Sequence, residues 1–222
     1  NTTRLGLNSI PNLSEELQIG RDLALLEYTG GKLHIPTIST AKAVQLIKEA
    51  KKKGLDVSCS VAAHHIFLTD NEIQSFDTNF KVKPPLRSEK DVKSLIKGLK
   101  DGTIDMIVSD HNPIDIENKN VEFENGYYGT IGMETLFGSA RQKLELEEII
   151  SCLTDKPKKR FDLPISVIEN DTMANLTLFD PDTEYIFENS NILSKSKNSA
   201  FIGKNLKGKI YGVVSNNKLV LN

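Results

Sequence analysis

The strongest constraint on the fold of this chain is an alternation of apolar, strand-like segments with amphipathic, helix-like segments. Strands are predicted over residues 32–38, 55–62 and 104–109. Helices are predicted between them, over residues 39–54 and 88–102. Strands that alternate with helices form βαβ units with parallel strands. The last strand, IDMIVS, lacks polar alternation, which is typical of a strand covered by helices on both faces. The sequence therefore predicts an α/β fold.

Residue pairs with capping chemistry predict where helices begin. Ser88 followed by Asp91 can open the helix over residues 88–102. Upstream, Asn12 and Glu15 have the spacing of a reciprocal cap, in which the glutamate bonds back to the N–H of the capping residue. This pair predicts a helix that starts at Asn12.

Three stretches of the chain depart from this alternation of strands and helices. Residues 63–87 pass through Pro84-Pro85 and are a poor candidate for regular structure. Residues 110–130 are polar and rich in Gly and Asn, and long loops of this kind inside compact domains are usually functional. From residue 165 onward, short β-rich pieces alternate with turn residues. We predict a main α/β part over residues 1–164 and a small β-rich segment over residues 165–222.

Composition narrows the class of protein. The chain is 38% hydrophobic and 26% charged, as ordinary globular proteins are. Its net charge of −2 gives no electrostatic case for nucleic acid or an anionic membrane as a partner. No apolar run approaches the ~20 residues that span a bilayer. Cys59 and Cys152 lack metal-ligand spacing, so we expect two buried thiols in a reduced, cytoplasmic protein.

The strongest candidate for a catalytic or metal-binding site is the sequence SDHNP at residues 109–113, at the end of the last apolar strand. A carboxylate at the carboxyl end of a parallel strand lies where such folds place their sites. There Asp110 can hold a metal ion or accept a proton from metal-bound water. The alternative is structural: Asp110 caps the following turn, and His111 merely packs.

Two further stretches contain possible site residues. His64 and His65 follow the second strand and are either ligands or substrate contacts, or ordinary loop histidines. In an extended chain adjacent side chains point to opposite faces, so at most one of the two would face the site. Tyr128 and Gly129 lie in a Gly-rich turn that can present backbone groups to a planar, amide-bearing ring. Ordinary turn chemistry is the alternative for these two residues.

Five segments, in this order, resemble the dihydroorotase family of cyclic amidohydrolases. They are residues 34–44 (HIPTISTAKAV), 57–68 (VSCSVAAHHIFL), 81–87 (KVKPPLR), 101–113 (DGTIDMIVSDHNP) and 129–137 (GTIGMETLF). The resemblance implies a TIM-type (β/α) barrel, of which this chain carries about the last three strands. It also implies that the C-terminal β segment belongs to a small composite β domain.

The same resemblance implies an activity and its residues. Family members interconvert dihydroorotate and N-carbamoyl-aspartate in pyrimidine biosynthesis, using zinc. Asp110 matches the family's catalytic, metal-binding aspartate, which takes a proton from zinc-bound water. Tyr128 and Gly129 match the pair whose backbone contacts the substrate.

Three positions depart from the family pattern. Thr37 stands where the family has a metal-ligand histidine, and a hydroxyl is a poor replacement for imidazole on zinc. Lys83 stands at a substrate-binding asparagine, and it can still bind a substrate carboxylate as a point charge. Ile114 replaces a substrate-binding histidine.

Two functions follow from these matches and departures. The first is a zinc-dependent dihydroorotase-like enzyme with a degenerate site that acts on a small molecule. The second is an inactive homologue that serves as a scaffold, either in a homo-oligomer or with a partner such as aspartate carbamoyltransferase. Three parallel strands cannot close a barrel, and their edges would be open to association. From the isolated chain we expect neither zinc binding nor activity.

Overall fold

The computed structural model describes residues 2–165 and 167–221. The helices are α1 (Thr2–Leu5), α2 (Asn12–Thr29), α3 (Ala41–Lys52), α4 (Ala63–Phe67), α5 (Glu89–Lys100), α6 (Leu136–Arg141), α7 (Leu146–Leu153) and α8 (Asp155–Arg160). The strands are β1 (Leu33–Ile35), β2 (Val57–Ala62), β3 (Met106–Val108), β4 (Leu176–Ile186), β5 (Asn205–Ser215) and β6 (Lys218–Leu221). They form two three-stranded sheets, ordered β1-β2-β3 and β4-β5-β6.

The first sheet is parallel throughout. Leu33 pairs with Val57 across β1 and β2, and Ser60 pairs with Met106 across β2 and β3. Every residue of β2 is buried, as expected for a central strand with helices over it. The predicted α/β class with parallel strands is confirmed, and the carboxyl ends of all three strands lie at one edge of the sheet.

Helix α5 shows how the sequence builds the core beside this sheet. Ser88 caps the helix as predicted, because its hydroxyl accepts from the Asp91 N–H at 3.4 Å. Val92, Leu95 and Leu99 repeat at helical spacing and are all buried, and Leu95 and Leu99 belong to the main core. Full burial of one such side chain contributes about 1.5–3 kcal/mol. The apolar stripe therefore fixes which face of α5 meets the sheet.

The start of α2 differs from the prediction. Pro11 occupies the cap position, and Asn12 is the first helical residue. Glu15 does not bond back to the cap, because its carboxylate accepts from the N–H groups of Ser39 at 2.8 Å and Thr40 at 3.1 Å. The predicted reciprocal cap is wrong, because the Glu15 carboxylate binds the N–H groups just before α3 instead of the N–H of its own helix start.

The second sheet is antiparallel and packs against α6. The ring of Phe137 meets that of Phe179 edge-on, with centroids 4.9 Å apart. A Cβ at Gly208 would lie 2.6 Å from the Phe137 ring, so the close approach of α6 and β5 requires glycine there. The short β pieces of the sequence are parts of longer strands, interrupted in β4 by register shifts. The predicted boundary between residues 164 and 165 stays a prediction.

The two long connections behave differently. Residues 63–87 contain α4 and two 3₁₀ turns, Asp70–Ser75 and Thr78–Phe80, so the prediction of no regular structure is wrong in part. Residues 110–130 form the expected loop, with one short 3₁₀ turn at Ile116–Asn118.

Gly132→Ala will destabilise the chain by about 3 kcal/mol, since overpacking of this kind typically costs 1–3 kcal/mol. A Cβ at Gly132 would overlap the backbone carbonyl of Ser109, at the end of the third strand. The matched control is Gly20→Ala in α2, where an added Cβ meets nothing within 4 Å. That substitution should stabilise the chain by roughly 0.5–1 kcal/mol. Urea unfolding measures the free energy of unfolding of both variants. Equal changes in the two would contradict the predicted clash.

Candidate functional site

Each strand of the parallel sheet is followed by a polar side chain at the same distance from its end. Thr37, His64 and Asp110 come two residues after β1, β2 and β3, respectively. Because the strands are parallel, these three positions lie at one edge of the sheet. Ligand sites of open α/β sheets lie at this edge.

Two of these positions have a strained backbone. Thr37 has φ 51° and Asp110 has φ 44°, both in the left-handed region. That region is costly for a β-branched residue such as threonine, and outliers of this kind cluster at functional sites. Ser60 holds the turn from β2, since its hydroxyl accepts from the Thr37 N–H at 3.1 Å and its carbonyl accepts from the Ile38 N–H at 2.9 Å.

One oxygen of the Asp110 carboxylate accepts a hydrogen bond, and the other faces a histidine. The Asn112 side-chain amide donates to Oδ1 at 3.0 Å and to the Asp110 carbonyl at 2.9 Å. Oδ2 faces His64, with Nε2 3.8 Å away. The side chain is 24% exposed. Partial burial raises the pKa of Asp110, and the hydrogen bond from Asn112 offsets only part of that rise. This carboxylate can therefore accept a proton at Oδ2.

His64 and His65 form a buried pair behind the carboxylate. They belong to the short helix α4, so the expectation of an extended chain with opposed side chains is wrong. Each residue is 1% exposed, and the ring centroids are 4.3 Å apart. His65 Nε2 lies 2.9 Å from the Pro84 carbonyl, which can only accept, so this nitrogen carries the proton. Within residues 2–165 and 167–221, neither ring nitrogen of His64 has a hydrogen-bond partner.

Burial makes the His65 imidazole hard to protonate, and this predicts acid sensitivity. Its pKa is lowered from 6.5 to about 4, chiefly by burial, although the bond to Pro84 opposes the shift. Between pH 6.5 and 4 the unfolded chain binds a proton that the folded chain does not, so the free energy of unfolding falls as pH falls. His65→Gln should flatten this part of the stability profile. Thermal melts at several pH values test it, and an unchanged slope would contradict the assignment.

The donors at this edge of the sheet are too few for a zinc site. His64 and Asp110 have zinc-ligand chemistry, but a zinc site needs three or four protein ligands. In the described parts of the chain no three His, Cys, Asp or Glu side chains come together to hold a metal ion. Thr37 occupies the remaining strand end with a hydroxyl. These residues therefore do not fit a complete zinc site by themselves.

The predicted substrate contacts lie around this edge. Lys83 is exposed and lines, with His34 and Thr37, a groove of about 480 Å³ along β1. Tyr128 is 46% exposed and lines a separate cavity of about 290 Å³. The Lys81 ammonium lies 4.9 Å from the centre of its ring. The structure thus brings Lys83 beside Thr37 and places Tyr128 in a different cavity.

The backbone N–H and carbonyl of Gly129 are already hydrogen-bonded within the fold. Its N–H donates to the Lys81 carbonyl at 2.9 Å, and its carbonyl accepts from the Asn198 side chain at 3.3 Å. An added Cβ would lie 2.7 Å from the Asn112 side chain, which explains the glycine. A role for Gly129 in binding substrate stays a prediction.

Asn198 is a site residue that sequence reasoning missed. Its side chain donates to the Asn112 carbonyl at 2.9 Å and accepts from the Ile114 N–H at 3.1 Å. It thereby fixes the loop that follows Asp110 from 86 residues away. An asparagine among turn residues carries no local signal for such a contact.

His111 and Arg87 also hold site loops in place. His111 Nδ1 accepts from the Gly132 N–H at 3.2 Å, which fits the packing alternative for this histidine. Arg87 is buried; its Nε donates to the Ser39 hydroxyl at 3.0 Å and its Nη1 to the Ile10 carbonyl at 2.7 Å. These bonds tie the loop that carries Lys83 to the segments just before α3 and α2.

This chain is an α/β protein with a parallel sheet and helical crossovers. A polar side chain follows every strand of that sheet, as in α/β proteins whose sites lie at the carboxyl edge. Residues 11–220 match the model of the Amidohydrolase family. The chain belongs to the amidohydrolase family.

Curated relatives confirm the resemblance to dihydroorotases. The chain is 41% identical over 215 residues to the dihydroorotase of Endomicrobium trichonymphae, covering 94% of this chain and 51% of the relative. It is 43% identical over 211 residues to that of Ruminiclostridium cellulolyticum (strain ATCC 35319 / DSM 5812 / JCM 6584 / H10), covering 92% and 49%. The chain therefore spans about half the length of the curated relatives it matches.

Solved structures agree on the fold. The L-hydantoinase (dihydropyrimidinase) of Arthrobacter aurescens superimposes with a TM-score of 0.85 at 26% identity, over 96% of this chain and 49% of that protein. The dihydropyrimidinase of Brevibacillus agri NCHU1002 gives a TM-score of 0.81 at 24% identity, over the same shares of the two chains, and supports the fold only. Across the described residues, no helix is both long and apolar enough to cross a membrane.

Proposed function

We propose that this chain supplies the carboxylate-bearing half of a dihydroorotase-like cyclic amidohydrolase, which reversibly hydrolyses dihydroorotate to N-carbamoyl-aspartate. One observation carries the proposal: Asp110 follows a buried parallel strand and turns Oδ2 toward the sheet edge where Thr37 and His64 also lie. The dihydroorotase relatives supply the substrate class.

The architecture that goes with this function is an eight-stranded (β/α) barrel of which β1, β2 and β3 are the last three strands. Among the described residues β1 and β3 are the edge strands of the parallel sheet, which supports this architecture because an edge strand leaves backbone hydrogen-bonding groups for a further strand. In this proposal residues 1–164 form half of the barrel, and residues 165–222 form part of a composite β domain. Both the L-hydantoinase and the dihydroorotase relatives have as much chain again as the matched part.

The reaction needs a proton acceptor and a substrate anchor. A water molecule attacks the ring amide carbonyl, and the proton it loses passes to Asp110 Oδ2. The carbon–nitrogen bond then breaks, and Asp110 returns the proton to the leaving nitrogen. Asn112 keeps Oδ1 occupied, so proton transfer is confined to Oδ2. The exposed Lys83 ammonium pairs with the substrate carboxylate. Zinc has no step in this mechanism, since the residues that the structure describes do not complete a zinc site.

A second function has its own support. Thr37 places a hydroxyl where the family pattern has an imidazole, and loss of one ligand sharply weakens a zinc site. A homologue with such a site would serve as a scaffold in a homo-oligomer or beside a partner such as aspartate carbamoyltransferase. Either function would place the protein in the cytoplasm, where the buried free thiols of Cys59 and Cys152 would stay reduced.

Completion of the barrel tests the proposal. The chain would be co-expressed with the part of the Ruminiclostridium cellulolyticum dihydroorotase that it does not match. Dihydroorotate hydrolysis and bound zinc are then measured. We expect this chain and the unmatched part of the relative to form a one-to-one complex that hydrolyses dihydroorotate. Neither part alone should show turnover. A stable complex without zinc or turnover would favour the scaffold, and the absence of any complex would overturn the barrel architecture.

A further inference from the structure

His64 has an unexplained environment. Both of its ring nitrogens are buried, and within residues 2–165 and 167–221 neither has a hydrogen-bond partner. A buried polar atom without a partner costs about 1–3 kcal/mol, so a chain seldom keeps one without a reason. A leucine would fill a similar space without that cost. The imidazole is therefore expected to have a polar partner in the working state.

Asp110 is the polar group that this imidazole faces. The distance from Nε2 to Oδ2 is 3.8 Å, just beyond a hydrogen bond, and a movement of ~1 Å would close it. Oδ1 is already bound by Asn112, so Oδ2 is the oxygen that remains. An Nε2–H donated by His64 would fix the plane of the carboxylate.

His65 holds His64 in place from the other side. Its ring lies against that of His64, and its Nε2–H is committed to the Pro84 carbonyl at 2.9 Å. Pro84 follows Lys83 directly. The pair therefore spans the distance between the carboxylate and the turn that carries the proposed substrate anchor.

We propose that His64 and His65 are a positioning pair: His64 orients Asp110 Oδ2, and His65 ties that arrangement to the Lys83–Pro84 turn. The inference rests on the proposed function for the role of Asp110 and Lys83, but the contacts themselves are independent of it. Neither histidine is a catalytic residue in this assignment.

Nitrogen NMR of the 222-residue chain tests the pair without any assay of activity. Imidazole ¹⁵N shifts report which ring nitrogen carries the proton and whether it donates. We expect His64 Nε2 to be protonated, and Asp110→Asn to shift its resonance. His34→Gln, which removes a histidine that bonds Ser58 on the neighbouring strands, should leave the His64 resonances unchanged. Unaltered His64 shifts in the Asp110→Asn chain would overturn the proposal.

Kinetics in the completed barrel provide the second readout. His65→Leu keeps the volume but removes the bond to Pro84, so kcat should fall by roughly tenfold to a hundredfold with a smaller change in KM. His65→Gln can still donate to that carbonyl and should recover most of kcat. If His65→Leu does not fold, His65→Met, which also cannot donate to that carbonyl, takes its place and should show the same loss of kcat relative to His65→Gln. Equal losses in the folded Leu and Gln variants would contradict it. If the barrel has no turnover at all, the proposed function fails while the NMR test still decides the pair.

Discussion

Asp110→Asn is expected to lower kcat of the completed barrel by about 10²–10⁴-fold, the usual worth of a positioned general base. The substitution keeps the size of the side chain and leaves an oxygen that can still accept from Asn112, but the amide cannot take up a proton. Stopped assays of dihydroorotate hydrolysis measure the loss. Because the shape is preserved, KM should change far less than kcat.

The control for this variant is Asp115→Asn. Asp115 lies on the same loop, and its side chain makes no capping hydrogen bond there. Turnover should remain within about twofold of the parent, as for other exposed substitutions away from the chemistry. Equal activity of Asp110→Asn and Asp115→Asn would remove Asp110 from the mechanism.

Thr37→His is expected to raise the zinc affinity of the completed barrel by at least about tenfold, since changes even in the groups around zinc ligands alter affinity by 10–100-fold. The substitution places an imidazole at the strand end beside His64 and Asp110. Competition with a chromogenic chelator measures the affinity. If turnover is limited by weak metal binding, kcat/KM at low zinc should rise in parallel.

Thr37→Gly separates ligation from backbone strain. Glycine adopts φ 51° without penalty, so this variant should stabilise the chain by roughly 1 kcal/mol while leaving zinc affinity unchanged or lower. An increase in zinc affinity for Thr37→Gly equal to that for Thr37→His would show that strain, not the missing imidazole, limits the site. Unchanged affinity in both would contradict the role given to position 37.

The parts of the fold predicted from sequence are those encoded within about ten residues. Ser88, Asp91 and the apolar stripe of α5 lie in one segment, so local capping and periodicity define that helix. The same holds for the short buried strand before Asp110. The position of Asp110 at the end of a parallel strand could be predicted from the strand and the turn that follows it.

The rest depends on contacts between distant segments. Glu15 looks like a local cap, but donors 24 and 25 residues away take its carboxylate once the sheet has formed. The sequence around His64 and His65 has no local helix signal, yet both residues belong to the buried helix α4. Asn198 bonds the loop that follows Asp110 from 86 residues away. Local propensity cannot encode such partners.

The most direct measurement is a crystal structure of this chain bound to the unmatched part of a dihydroorotase relative. We expect strands of the partner to pair in parallel with the edge strands β1 and β3, and Asp110 Oδ2 to face an enclosed cavity shared by both parts. A complex in which the partner binds elsewhere, or in which Asp110 is covered by packing, would contradict it.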